Sequence, residues 1–158
     1  TTRPQDCDSA WAYYSGGTAR DAPLGLAKVV RALGRETHDR AYDATLAVRC
    51  WRNLDNETGV ATDTARRDLA FSQLDEALLR GLALALRQQA TELSCTTGEV
   101  REARFAFVTT LGPFLDRAAR QRNLGQADIL LREVTRMSPG EVDVAALTGA
   151  LDALFPCP

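Results

Sequence analysis

The ten residues Ala77-Leu78-Leu79-Arg80-Gly81-Leu82-Ala83-Leu84-Ala85-Leu86 decide the fold class. They are apolar on most sides of a helical wheel, and a helix of that kind has to be covered by several neighbours. The helical period continues in both directions, so the reading is one long central helix over 62–94. Strand alternation is nearly absent from the rest of the chain.

Breakers divide what remains. Towards the N-terminus, Asp55-Asn56-Glu57-Thr58-Gly59 is a connecting loop, preceded by a helix from a cap at Thr37 to about Leu54. Gly34 ends the helix before that one, which starts near Pro23, a residue suited to the first helical position, and buries Leu26, Val29, Val30 and Leu33. Asp8 to Tyr14 reads as a short aromatic turn stopped by Ser15-Gly16-Gly17. Towards the C-terminus, Thr96-Thr97-Gly98-Glu99 opens a helix carrying Val100, Phe107, Val108, Leu111, Phe114 and Leu115, its phenylalanines in the core and a bend at Gly112-Pro113. A fifth helix holds Ala127, Leu130, Leu131, Val134 and Met137. Ser138-Pro139-Gly140-Glu141 has the capping-box pattern that starts a sixth, with Leu147, Leu151, Leu154 and Phe155 inward.

The expected fold is therefore all-α: an antiparallel bundle of about six helices around a long central one, stabilised by disulfides. At 158 residues the chain suits one domain, and a domain of about 150 residues buries roughly 68 to 70% of its unfolded surface. The division is an N-terminal aromatic segment over 1–20 and a helical bundle over 22–158, within one secreted domain over 1–158. Hydrophobic residues at 45% and charged residues at 25% exclude a disordered chain.

Net charge is -2, with 19 basic and 21 acidic residues intermixed along the chain. That pattern argues against nucleic acid or an anionic membrane surface as partner. No run of about 18 apolar residues is present, so no membrane span is expected. No basic-plus-apolar leader precedes Thr1, and the sequence reads as a mature form.

Cys7, Cys50, Cys95 and Cys157 are widely spaced, with no CxxC pair. An even count in that arrangement fits disulfides and an oxidising, extracellular or periplasmic setting. A helix of 33 residues extends about 50 Å, which puts Cys50 and Cys95 near opposite ends of the central helix and disfavours their pairing. Of the two remaining connectivities, Cys7 with Cys50 and Cys95 with Cys157 is preferred, because an antiparallel first hairpin returns towards the N-terminus. Asn56-Glu57-Thr58 is a glycosylation sequon in a polar loop, with Asn56 the acceptor.

Two pairs of aspartates border apolar stripes. Asp39 and Asp43 fall within roughly 60° of Leu46 and Cys50 at about 100° per residue, while Asp68 and Asp75 are one heptad apart near the line of Leu79 and Leu86. His38, the only histidine, sits at the flank of the first pair. If these margins face each other, oxygen donors with one imidazole converge, a set suited to a hard metal ion. Tyr13, Tyr14 and Tyr42 could add phenolates, or simply pack. A di-iron oxidase is not expected, since it would normally show a Glu-x-x-His pair on each of two helices and one histidine cannot supply both. The competing reading is an ion pair: Arg104 lies on the apolar line of Val100, Phe107 and Leu111 and needs an anionic partner, which an aspartate would supply.

No catalytic residues are assigned. Ser9, Ser15, Ser72, Ser94 and Ser138 occupy no GxSxG elbow, and neither a GxxxxGK[ST] nor a GxGxxG loop occurs. The cysteines have a better use in disulfides.

Several segments resemble the algal iron-assimilation proteins, a family related to high-CO2-induced extracellular proteins. Ser9-Ala10-Trp11-Ala12-Tyr13-Tyr14-Ser15-Gly16 is similar to that family's aromatic start, and Ala22-Pro23-Leu24-Gly25-Leu26-Ala27-Lys28 to its Pro-x-x-Leu-Ala helix opening. Phe71 to Gly81, Phe107 to Arg117 and Leu154-Phe155-Pro156-Cys157 resemble its later helices and its Cys-bearing end. The resemblance implies a helical, non-enzymatic protein, secreted or periplasmic, that binds iron near the cell surface. With Asp39, Asp43, Asp68, Asp75 and His38 as candidate ligands, iron is the expected cofactor. A second expectation is a self-associating glycoprotein subunit of an extracellular coat or fibre, with other extracellular or cell-surface proteins as partners. A carrier of a small apolar ligand between helices is a third.

Overall fold

The computed structural model describes residues 4–54 and 64–156, with side chains described for 8–48 and 64–156. The protein is all-α, with no strand among the described residues. The helices are α1 (Pro4–Ser15), α2 (Gly25–Leu33), α3 (Arg35–Leu54), α4 (Thr64–Leu93) and α5 (Gly98–Leu111), then, after a 3-10 turn (Gly112–Leu115), α6 (Asp116–Arg122), α7 (Leu124–Val134) and α8 (Val144–Leu154). The chain divides into two compact units, Thr1–Gly81 and Leu82–Pro158, so that α4 contributes to both. The sequon at Asn56, Cys157 and the side chains of Cys7 and Cys50 lie outside the described residues. Cys95 carries an exposed free thiol.

In α4 no residue from 77 to 86 is exposed. That agrees with a helix apolar on most sides, since each flank removes surface from water. The first unit packs α1, α2 and α3 against one another. Tyr14, Ala27, Val30, Ala41 and Ala77 form its centre, with Leu26 and Leu78 against them, and Val48 and Ala70 form a second cluster with Phe71 and Leu74. Its buried hydrophobic side chains are mostly alanines, and Ser15, Thr37, His38 and Thr45 are buried with them. The second unit is built from larger groups. Leu86, Leu93, Leu115, Leu130, Leu147, Leu151 and Leu154 are all buried to within 2%.

Several boundaries differ from the sequence reading. The aromatic segment is not a turn but three turns of helix, because Trp11, Tyr14 and Ser15 share one face and the Ser15 hydroxyl donates to the Trp11 carbonyl at 2.8 Å. Its end is as expected. Gly16 has φ +69, a conformation that L side chains resist, and a Cβ there would fall 2.8 Å from that of Leu24. Thr37 does not cap α3 but lies inside it, buried, and accepts a hydrogen bond from Arg80 Nε at 3.1 Å. Pro23 precedes the N-cap residue Leu24 instead of occupying the first helical position.

The bend expected at Gly112-Pro113 is the 3-10 turn. It sits against α7 so closely that a Cβ on Gly112 would meet Val134 Cγ1 at 2.5 Å. Phe114 is 70% exposed and Met137 87% exposed, with Val100 and Val29 also on the surface, so none of these four belongs to the core. Phe114 lies in the 3-10 turn, which takes it off the α5 stripe, and Met137 lies beyond the end of α7. The sixth helix starts later than the capping-box pattern suggests. Residues 138–141 form a turn closed by Glu141 N–H to the Ser138 carbonyl at 3.1 Å, and Asp143 caps α8 by accepting from the Ala146 N–H at 2.9 Å.

Candidate functional site

The buried face of α3 is Thr37, His38, Ala41, Ala44, Thr45 and Val48, a helical stripe with little hydrophobic contrast. Leu46, which the helical spacing places on the stripe, is 37% exposed. His38 is therefore not a flanking residue but fully buried, and both ring nitrogens are engaged. Nε2 lies 3.0 Å from the Arg20 carbonyl oxygen and Nδ1 3.2 Å from the Tyr14 hydroxyl. A carbonyl only accepts, so Nε2 carries a proton and donates. Nδ1 is then free to accept from Tyr14 in the singly protonated ring. The two rings stack at 5.9 Å between centroids and 27° between planes.

His38 thus ties the backbone of the loop between α1 and α2 to α3, and that loop delivers the Arg20 side chain. The guanidinium reaches Asp39 at 3.9 Å, forms a close ion pair with Asp43 and lies 4.7 Å above the centre of the Tyr42 ring. Asp43 and then Asp39 hold the guanidinium in its charged form by raising its pKa, with burial opposing. Asp39 has a second cation, Arg35 Nε at 3.7 Å. Asp39 and Asp43 are four residues apart on α3, so one helix face aims both carboxylates at one place. Burial, with the Asp39 charge added, pushes the Tyr14 phenol up to about 12.

Of the residues singled out in the sequence, the structure brings together Asp39, Asp43 and, through the Arg20 backbone, His38. Asp68 is paired elsewhere, with Arg67 at 2.7 Å, and Asp75 is exposed on α4. No group of three or more His, Cys, Asp or Glu side chains able to hold a metal occurs among the described residues. The donor set at Arg20 is two carboxylates; the imidazole joins it only by giving up two hydrogen bonds.

Arg104 does find an anionic partner, but it is Glu92 and not an aspartate. Its Nη1 also donates to Gln89 Oε1 at 2.7 Å. Both partners are on α4.

Two features escaped the sequence reading. Arg20 has no local signal, because its partners lie far along the chain. Glu133 has one, a carboxylate on the apolar line of Ala127, Leu130 and Val134 flanked by two arginines. It is fully buried and accepts from Arg132 Nε at 2.7 Å, from Arg136 Nε and Nη2 at 3.1 Å each, and from the Asp143 N–H at 3.0 Å. Arg136 foremost, with Arg132 and the Asp143 amide, lowers its pKa to about 2 against the opposing effect of burial. Its hydrogen bonds run to Arg132 on α7, to Arg136 just beyond it and to the N-cap residue of α8, which makes Glu133 a structural tie. No helix among the described residues is long and apolar enough to cross a membrane. No protein-family model, curated protein or solved structure matches this chain.

Proposed function

We propose that the protein is a non-enzymatic extracellular or periplasmic iron-binding protein whose metal site is the Asp39 and Asp43 pair. The observation that carries this reading is that both carboxylates point to a single cation, the Arg20 guanidinium, beside Tyr42. An arginine between two carboxylates marks a place of negative potential that a hard cation can take over when the arginine swings out. Oxygen ligands suit iron, with water completing its coordination. The resemblance to algal iron-assimilation proteins points the same way, and the reading carries with it an oxidising setting in which Cys7, Cys50, Cys95 and Cys157 pair as cystines, the exposed Cys95 thiol included, and a glycan on Asn56.

Calorimetric titration with ferrous and ferric iron tests it. The expected result is saturable uptake by the wild type, tighter uptake by Arg20→Ala and none by the Asp39→Asn/Asp43→Asn variant. Absence of saturable uptake by both the wild type and Arg20→Ala overturns it.

A second reading, a self-associating subunit of an extracellular coat or fibre, is favoured by the large apolar side chains exposed on the second unit. Val100, Phe114, Leu124 and Met137 are each more than half exposed, and exposed apolar surface favours association. Size-exclusion chromatography with light scattering decides it, and a strict monomer at high concentration is the result against it.

A further inference from the structure

The first unit has a groove of about 530 Å³ between the turn at 21–23, α2 and the start of α3. That is within the roughly 300 to 1,000 Å³ common for small-ligand sites. Three cations line it, Lys28, Arg31 and Arg35, against one carboxylate, Asp21, with Pro23 among the apolar walls. The chain as a whole is net -2 with its charges intermixed, so this local excess of positive charge is a departure from the background.

The cations are weakly committed. Lys28 is exposed and makes no ion pair among the described residues. Arg31 reaches Asp21 only at 3.8 Å, and Asp21 is 83% exposed; Arg35 reaches Asp39 at 3.7 Å and is 74% exposed. A charge-assisted hydrogen bond to an oxyanion closes to about 2.7–2.9 Å, shorter than either pair. A basic residue in the last turn of a helix is ordinary, because it complements the helix dipole. That accounts for Arg31. It does not account for Lys28, in the first half of α2, or for Arg35, which opens α3 at the end where the dipole already repels cations.

We propose that this groove is a binding site for a compact ligand bearing two or more oxyanion charges, a polyphosphate or a polycarboxylate. The guanidinium groups of Arg31 and Arg35 supply planar, paired donors for oxyanions, and Lys28 adds a point charge. The site adjoins the Arg20 carboxylates through the Arg35–Asp39 pair but takes ligands of the opposite sign, and its cations are in place whether or not iron binds at Asp39 and Asp43.

Lys28 is the only lysine in the chain, which gives a residue-specific readout. Inorganic pyrophosphate and tricarballylate are titrated by calorimetry into the full chain at low and at physiological salt, and acylation of Lys28 by an amine-reactive ester is followed by peptide mass spectrometry with and without each anion. The expected result is saturable binding of at least one probe, weakened by salt, with several-fold slower acylation of Lys28 at saturation. The same probe should bind at least tenfold more weakly to Lys28→Gln/Arg31→Gln and to Arg35→Gln. Pyrophosphate alone binding assigns the phosphate source, and tricarballylate alone the carboxylate source. No saturable binding of either probe overturns the proposal, as does affinity unchanged in variants whose helical circular dichroism matches the wild type.

Discussion

Tyr14 and His38 share a hydrogen bond of 3.2 Å in the interior of the first unit, and the far side of the same imidazole donates to the Arg20 carbonyl at 3.0 Å. The three groups form a chain from α1 through α3 to the loop that carries the Arg20 guanidinium. Tyr14→Phe removes the donor and leaves a buried ring nitrogen without a partner, at a cost of about 1 to 3 kcal/mol. Urea denaturation should show that loss. Because His38 is the recipient, a cycle with His38→Ala should show the two effects to be non-additive.

Tyr14 also sets an alkaline limit. Its folded pKa, about 12, is raised above the ordinary value of 10, so its protonated form is favoured in the folded state. The sign follows from linkage: this stability is fully present below pH 10 and is lost as pH rises from 10 through 12, up to about 3 kcal/mol for a shift of this size. Denaturation midpoints measured across that range should fall more steeply for the wild type than for Tyr14→Phe, and the ultraviolet phenolate titration of Tyr14→Phe should lack its most alkaline step.

Glu133 has the opposite sign. Its pKa falls from 4.5 to about 2 on folding, so its contribution is complete above pH 4.5 and disappears as pH drops through 2. Over that interval the group accounts for at most about 1.4 kcal/mol per pH unit, or roughly 3 kcal/mol in all. Glu133→Gln should flatten the acid limb of stability measured by circular dichroism. Glu133→Ala should cost about 3 kcal/mol at neutral pH, because it strands the Asp143 amide and two arginines.

Gly112 allows the 3-10 turn to approach α7. With Val134 Cγ1 at 2.5 Å and Cβ at 2.7 Å from the place a Cβ would take, Gly112→Ala forces one of the two backbones to move. About 1 to 3 kcal/mol of destabilisation is expected from such overpacking. Adding Val134→Ala should restore part of it, a recovery that a purely conformational effect at the glycine would not show.

Contrast between neighbouring residues governed what could be read from sequence. The leucines of α8 stand out in size against alanines, a glycine and two polar residues, and the run in α4 is apolar on most sides, so their burial was legible. On α3 the buried face consists of Ala41, Ala44 and Val48 mixed with Thr37, His38 and Thr45, so the more hydrophobic but half-exposed Leu46 drew the stripe to the wrong place. The convergence of Asp39 and Asp43 could be anticipated from their spacing of four. Their shared partner could not, since Arg20 lies 19 and 23 residues away and no local pattern selects it among the arginines. Arg104 showed its need for an acid by lying on an apolar line, and only packing could choose Glu92 over an aspartate.

The start of α8 separates a sequence motif from the interaction it usually signals. Ser138-Pro139-Gly140-Glu141 satisfies the capping-box pattern, yet Glu141 reaches back to the Met137 N–H at 3.2 Å and the helix begins after Asp143. Asp143 is the better cap in this setting because its own N–H is held by Glu133 at 3.0 Å while its side chain accepts from Ala146 at 2.9 Å. The carboxylate also sits at the positive end of the helix. Asp143→Ala should therefore cost about 0.5 to 2 kcal/mol, with Asp143→Asn recovering most of it, since the amide oxygen accepts as well. Ser138→Ala removes no cap hydrogen bond and should stay within about 0.5 kcal/mol of the wild type. Thermal denaturation of the three variants side by side tests the assignment: a Ser138→Ala loss equal to that of Asp143→Ala would move the start of the helix back to Ser138.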